Sequence, residues 1–406
     1  MGRRGRKAAA IAASGEPTEA REALERRWRD RLIVEPSLAT LVTAEGGRRE
    51  PFHRWIPYKQ GFSPGLVRQF LGENPRTPKE WASHPVLDPF SGSATCVVEC
   101  ARHGVCALGV EAIAALVFLA QAKFDREFPP LPPGARLESR TKASMWQEIA
   151  DRVELPVHRA ALMLAVGRQH TTAGRTNRGA GPLEVVLAEV AVMMRDDLFH
   201  PLPQVNRVEV GDARRIPPID DGAIGGILTS PPYLSRHDYT QITSPYETVY
   251  GYWYHGQEYV EQVRAEIRLK TVPSTLTPTL SLEGRGGGGI PSRTVAAAEE
   301  AAEWLMKIGQ AKLAGVVRGY VEDMTLVLHE CHRTLAPGGV CWMVVGGARI
   351  KDVYVPSDLM VAEIAEGCGF RVEAIRVARD LVGAARKFGR LGHVAPRESL
   401  LVMRRA

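Results

Sequence analysis

The sequence predicts an α/β fold with a mostly parallel sheet and helices on both of its faces. Three observations carry that prediction. Short apolar runs at 86–88, 105–110, 223–228 and 340–345, and a run at 205–210 that alternates apolar and polar, read as strands, and longer segments of helical period lie between them. Two of the runs break off into distinctive loops, one at Asp88-Pro89-Phe90-Ser91-Gly92-Ser93 and one at Ser230-Pro231-Pro232-Tyr233. Loops at the carboxyl ends of strands are where open α/β sheets hold ligands. The 406 residues, 45% of them hydrophobic, suit one large domain with insertions or two domains.

Composition narrows the class. The formal net charge is +6 and arginine far outnumbers lysine, a balance common in chains that meet phosphate polymers. Cys96, Cys100, Cys106, Cys331, Cys341 and Cys368 form no Cys-x-x-Cys pair and lie in apolar stretches. They read as reduced, buried thiols of a cytoplasmic protein, not as a zinc site. The longest apolar run, at 112–122, is too short to span a bilayer, and no apolar region follows the basic N-terminus. Neither a membrane partner nor a secretory signal is expected.

Residues 1–17 are basic without an apolar period and read as an arm for DNA or as a solvated tail. A helix is expected from Thr18 to about Ile33, with Thr18 as cap and Glu19 and Glu22 in its first turn. Within 52–71, Ser63 caps a helix that has Pro64 at its first position and Leu66, Val67, Phe70 and Leu71 on one face. The strand ending at Asp88 then leads through a small-residue loop into a helix carrying Val97, Val98 and Ala101. Gly92 and the serines let the backbone approach a ligand closely, and the helix start adds free N–H groups. Gly104 ends that helix. The next strand runs to Glu111, 23 residues beyond Asp88, where a carboxylate can bind ribose hydroxyls. The loop has neither the Gly-Lys-Ser/Thr of a Walker A nor the Gly-x-Gly-x-x-Gly of a nicotinamide site.

Residues 126–204 interrupt the alternation. Phe128-Pro129-Pro130-Leu131-Pro132-Pro133-Gly134 reads as a linker, and helices are expected near 141–153, 157–167 and 183–198. The polar, basic stretch 168–179 reads as a phosphate-contacting loop or a plain solvated one. A strand at 205–210 leads to Gly211-Asp212-Ala213-Arg214, and the strand at 223–228 runs through Thr229 into Ser230-Pro231-Pro232-Tyr233. The two prolines end that strand because neither can donate a ladder hydrogen bond. Seven of the ten tyrosines follow between 233 and 259, interleaved with Trp253, Arg236, His237 and His255. They read either as stacking surfaces for bases or as a local aromatic core or hairpin.

The low-complexity stretch 271–297 reads as a flexible insertion with no chemistry of its own. Helices return at about 297–335. His329, Cys331 and His332 match neither His-Glu-x-x-His nor a paired-cysteine spacing, so no metal is expected. Pro337-Gly338-Gly339 reads as a turn, Ser357 as the cap of a helix to about Gly367, and 370–377 and 398–403 as closing strands. Between those strands Arg386, Lys387, Arg390 and His393 form a basic loop suited to phosphate.

Taken together, these segments resemble one family. Ser230-Pro231-Pro232-Tyr233 resembles motif IV of the DNA amino-methyltransferases, most closely the cytosine-N4 type. Asp88-Pro89-Phe90-Ser91-Gly92-Ser93-Ala94-Thr95 resembles motif I, with Ala94 where the family usually has glycine, and Glu111 resembles motif II. The segment from His53 to Pro64 resembles motif X, and Asp212-Ala213 resembles motif III. Motif X before I before IV is the order of the γ class.

The resemblance covers roughly 51–125 and 205–406. It implies a Rossmann-like methyltransferase fold with a seven-stranded sheet. It also implies a basic arm and helix at 1–50, a catalytic domain split between 51–125 and 205–406, and a helical insertion at 126–204 suited to target recognition. The implied cofactor is S-adenosyl-L-methionine, bound by Phe62, Ser63, Asp88, Pro89, Phe90, Gly92, Ser93, Glu111, Asp212, Ala213 and Thr229. The implied partners are double-stranded DNA and a cognate restriction nuclease. In γ enzymes the recognition domain follows the catalytic one, so here recognition is expected from an insertion, the aromatic segment or a partner.

The implied chemistry is direct methyl transfer to a flipped base. A base amine is a poor nucleophile because its lone pair is delocalised into the ring. Ser230 Oγ and the Pro231 carbonyl would accept the amine hydrogens, with Pro232 shaping the turn, and Tyr233 would stack on the base. No Pro-Cys dipeptide is present, which argues against cytosine-C5 chemistry. Adenine-N6 transfer, an RNA methyltransferase on the same fold, and a non-catalytic cofactor-binding regulator are the alternatives.

Overall fold

The computed structural model describes residues 18–56, 61–131, 153–169, 183–234, 239–254, 290–351, 353–381 and 394–406. Its strands are β1 (Leu32–Val34), β2 (Val86–Asp88), β3 (Ala107–Glu111), β4 (Arg207–Val210), β5 (Ile224–Thr229), β6 (Leu335–Gly346), β7 (Ala348–Ile350), β8 (Val353–Val355), β9 (Phe370–Asp380) and β10 (Arg397–Arg405). Two units divide the chain. One comprises Met1–Val42, Ala213–His237 and Leu269–Ala406, and the other comprises Thr43–Asp212 and Asp238–Arg268.

In the first unit the strands lie in the order β1-β9-β10-β6-β5. Only β10 is reversed: it pairs antiparallel with both β9 and β6, whereas β1 with β9 and β5 with β6 are parallel. Every residue of β5 is buried, as expected of a strand covered on both faces. The helices Ser292–Lys307, Ala311–Thr334 and Ser357–Gly367 supply cover, the first through small buried residues such as Ala297, Ala298, Ala301 and Ala302.

The second unit is built on β2-β3-β4, all parallel. The helix Thr95–Arg102 connects β2 to β3, and Ala114–Ala122 follows β3 and packs on β3 and β4. This is the strand–helix–strand repeat of a doubly wound fold, as the sequence predicts. The helices Pro156–Gln169 and Leu183–Leu198 of the insertion pack on one another, and Tyr239–Tyr254 packs on the first of them.

Several local expectations change. The first helix stops at Trp28, because a 3₁₀ turn at Arg29–Arg31 turns the chain into β1. β1 is an addition to the seven strands expected, and β7 and β8 form a separate antiparallel pair. Thr18 holds the cap position without a side-chain cap bond, and so does Ser63. Ser357 is the first residue of its helix, not its cap; its hydroxyl donates to the Gly346 carbonyl at 2.9 Å. Pro337-Gly338-Gly339 does not separate helix from strand but is absorbed into β6. The β5–β6 register jumps there from Ile224↔Leu335 to Gly226↔Val340, and Gly338 takes φ +71°. Residues 292–297 are helical, so the low-complexity stretch stops short of 297.

The aromatic segment forms a helix with Pro245 inside it, not a hairpin. Tyr246 and Trp253 are buried, and the Tyr246 ring lies on Gly167, where a Cβ would stand 2.1 Å from it. Phe118, Tyr250 and Tyr254 cluster with ring centroids 4.8–5.7 Å apart. Arg168 is helical and donates to the Arg54 carbonyl at 3.1 Å, so it is not part of a polar loop. The expectations for 1–17, 141–152, 170–179, 271–289 and 386–393, and for Arg236, His237 and His255, lie outside the described residues. Among the described residues no cluster of His, Cys, Asp and Glu could hold a metal. No helix there is long and apolar enough to cross a membrane.

Candidate active site

In the second unit, parallel pairing brings the carboxyl ends of β2, β3 and β4 to one edge, so Asp88, Glu111 and Asp212 share it. Asp88 is buried, and its Oδ1 accepts from the Phe90 N–H at 3.1 Å, a turn that swings the chain out of the strand. Ser91 N–H donates to the Val110 carbonyl at 2.9 Å, and Gly211 N–H donates to the Glu111 carbonyl at 3.0 Å. The loop therefore leaves the strands already tied to the neighbouring backbone. Gly92 and Ala94 both take left-handed conformations, at φ +51° and +64°. Ala94 thus adopts the conformation that glycine adopts without strain, at a cost of about 1–2 kcal/mol. Gly109 leaves room for the loop, since a Cβ there would stand 2.5 Å from Ser91 Oγ.

Glu111 braces this loop. Its Oε2 accepts from the Gly92 N–H at 2.8 Å and its Oε1 from the Ile113 N–H at 3.0 Å. Burial pushes its pKa up, against backbone N–H bonds that lower it. Beneath the loop, the fully buried Lys123 donates from Nζ to the Ser93 carbonyl at 2.6 Å. Burial pulls the Lys123 pKa down to about 7, opposed by the charge of Asp197.

Phe62 and Ser63 are buried at the start of the helix Pro64–Glu73, which packs on Thr95–Arg102. Glu99 bolts the two helices together. It accepts from Arg68 Nη1 at 2.7 Å and Arg102 Nη1 at 2.9 Å, and His53 Nε2 lies 3.1 Å from it. Burial works to raise the Glu99 pKa, but the bonds from His53 and Arg68 outweigh it and hold the carboxyl at about 2. Asp197, on the helix Leu183–Leu198, accepts from Phe52 N–H at 2.7 Å and Trp55 Nε1 at 2.8 Å, and also from Arg54. Residues 57–60 of the same segment lie outside the described residues.

These residues fit a nucleoside-type ligand. A tight backbone loop, a buried Ser91 hydroxyl with no hydrogen-bond partner among the described residues, and carboxylates at successive strand ends supply close approach, a polar contact and hydroxyl acceptors.

The first unit carries the second cluster. β5 delivers buried Thr229 to the sheet edge, followed by half-buried Ser230, buried Pro231 and exposed Pro232. Ser230 Oγ donates to the Val344 carbonyl at 3.4 Å. Tyr233 lies over Gly346, where a Cβ would stand 2.6 Å from the ring, and its hydroxyl donates to Glu398 Oε1 at 2.9 Å. Ala213 is buried where the chain enters this unit.

Sequence reasoning missed Glu99, Lys123, Asp197 and Glu398. One signal was available: each is a charged residue set in or beside an apolar run, such as Glu99 between Val97-Val98 and Cys100-Ala101. Burial of such a charge demands partners.

A parallel strand–helix set with a glycine loop after its first strand and acids at the next two strand ends is the Rossmann-like layout of doubly wound α/β proteins, in which ligands lie at the carboxyl ends of the strands. The chain is 23% identical to the Type II methyltransferases M.AvaI of Nostoc sp. and of Anabaena variabilis, over 95% of its own length and 93% of theirs. It is 20% identical to the Type II methyltransferase M.BsoBI of Geobacillus stearothermophilus, over 89% of this chain and 87% of that one. No family model matches the chain. Among solved structures, TrmN from Thermus thermophilus aligns with a TM-score of 0.33 at 13% identity, covering 89% of this chain and 53% of that one.

Proposed function

We propose that the chain is a DNA methyltransferase that transfers a methyl group to an exocyclic base amine, the N4 of cytosine, in double-stranded DNA. The observation that carries this reading is the setting of Ser230-Pro231-Pro232-Tyr233 at the end of β5. Ser230 directs its hydroxyl proton at the Val344 carbonyl, which leaves its lone pairs as acceptors. With the Pro231 carbonyl, it would accept the two amine hydrogens. That favours a pyramidal nitrogen whose lone pair is free to attack. The ring of Tyr233 offers a stacking face to the flipped base, and the rate gain comes from holding the reacting atoms in line.

S-adenosyl-L-methionine, when bound, supplies an electrophilic methyl group. The residues proposed to hold it are Asp88, Pro89, Phe90, Gly92 and Ser93 at the loop, Glu111 at the ribose, and Asp212 with Ala213 beside the adenine. Phe62 and Ser63 serve the methionine end, and Thr229 completes the set. The relatives, named Type II methyltransferases, support DNA as the substrate; a cognate restriction nuclease is the further partner we propose. Serine at the head of the motif, where aspartate or asparagine would favour adenine, supports cytosine. We assign target recognition to the helical insertion at 126–204.

The test is transfer of labelled methyl to unmethylated genomic DNA, with RNA in parallel. Wild type should label DNA. Ser230→Ala should bind cofactor as wild type does yet turn over far more slowly. Labelling of RNA with none of DNA would overturn the reading.

A further inference from the structure

Three strands meet under Tyr233 in a way that the methyl-transfer chemistry does not itself explain. On β10, Glu398 sits directly opposite Gly346 of β6 on one side and opposite Arg379 of β9 on the other. Residues directly opposite in antiparallel pairs share a face, so glycine, glutamate and arginine form one row across the sheet. The Tyr233 ring fills the space above Gly346. Its hydroxyl donates to Glu398 Oε1 at 2.9 Å, while Arg379 Nε donates to Oε2 at 2.6 Å. Glu398 is only 4% exposed, so its carboxylate is committed to these two partners and not to water. A registry irregularity between β9 and β10 falls immediately after Glu398, which leaves it at the end of the regular ladder, close to the motif.

A ring packed on Gly346 and bonded through its hydroxyl to Glu398 is held at two points, which fixes its tilt as well as satisfying the phenol. We infer that Glu398 is a positioning residue: held by Arg379, it fixes the orientation in which Tyr233 receives the base, and Gly346 is the space that orientation needs. The inference rests on the function proposed above. Glu398 acts through the phenol and touches no substrate. Tyr233 without its hydroxyl keeps its stacking face but loses its anchor.

A double-mutant cycle on the full chain tests this, with Tyr233→Phe, Glu398→Gln and the pair. Each single variant should lower kcat/KM for genomic DNA about tenfold. The double variant should show about the same tenfold loss, because the second change removes a bond already gone. Cofactor affinity by calorimetry should stay within about twofold of wild type in all three. Arg379→Gln should reproduce part of the loss and none of it in the Tyr233→Phe background. Losses that multiply to about a hundredfold, or a Glu398→Gln protein with wild-type kinetics, overturn the inference. If wild type transfers no methyl at all, the proposed function fails instead. The same cycle in melting temperature then still decides the positioning contact: non-additive shifts support it and additive shifts refute it.

Discussion

Replacing Glu99 by glutamine probes the joint between the helices Pro64–Glu73 and Thr95–Arg102. The carboxylate is fully buried and holds Arg68, Arg102 and His53, with its pKa drawn from an ordinary 4.5 to about 2. Because the folded pKa lies below the unfolded one, the unfolded chain takes up the proton first as pH falls. The stabilisation is therefore complete above pH 4.5 and is lost as pH falls from there to 2. The shift converts to an upper figure of about 3 kcal/mol. Arg68 and Arg102 are 42% and 31% exposed, so water screens part of their attraction, and about 2 kcal/mol is the working figure. Urea unfolding of wild type and Glu99→Gln should differ by that amount at pH 7 and 5, and the gap should narrow at pH 4 and again at pH 3. A gap that does not change with pH would refute the charge-based reasoning and leave only a packing effect.

Four further substitutions probe the loop beside that joint. Ala94→Gly should leave stability within about 1 kcal/mol of wild type, since relief of left-handed strain is offset by unfolded-chain entropy and a lost buried methyl. Ala94→Val should cost about 2 kcal/mol or more, because a β-branched residue at φ +64° is severely strained, and denaturant melts of both variants check this. Glu111→Ala removes the brace on Gly92 and the proposed ribose acceptor, so S-adenosylmethionine affinity by calorimetry should fall about ten- to a hundredfold. For Lys123, with a folded pKa of about 7 against 10.5 unfolded, the burial penalty is fully present below pH 7 and fades as pH rises toward 10.5. The stability of Lys123→Met relative to wild type should thus be highest near pH 6 and decline toward pH 9, by at most about 1.4 kcal/mol per pH unit. A difference that grows with pH would contradict this.

What the sequence made legible was whatever depends on neighbours along the chain. The strand ends at Asp88, Glu111 and Thr229 were readable because apolar runs stop there in acids or prolines, and Leu183–Leu198 because its apolar residues recur at helical spacing. The left-handed Ala94 was half readable: its departure from glycine was visible, but not the backbone angle that gives it meaning. The partners of Glu99, Asp197 and Glu398 lie up to 165 residues away, and no local pattern encodes such pairings. β1 escaped notice because three residues after a helix carry no period of their own, and its strand character comes from β9. The aromatic segment was ambiguous for a physical reason. Tyrosines at 246, 250 and 254 serve equally as a stacking surface or as packing, and only Gly167 beneath Tyr246 decides for packing at that ring.

The central claim is that Ser230 and Tyr233 present an exocyclic amine for direct methyl transfer. The measurement that tests it most directly is mass analysis of nucleosides from DNA methylated by the purified chain. N4-Methylcytosine is the expected product, and Ser230→Ala should abolish most of it while leaving cofactor affinity intact. N6-methyladenine in its place would correct the base but keep the mechanism. 5-Methylcytosine would rule out amine methylation, because carbon methylation has no use for an amine acceptor at Ser230.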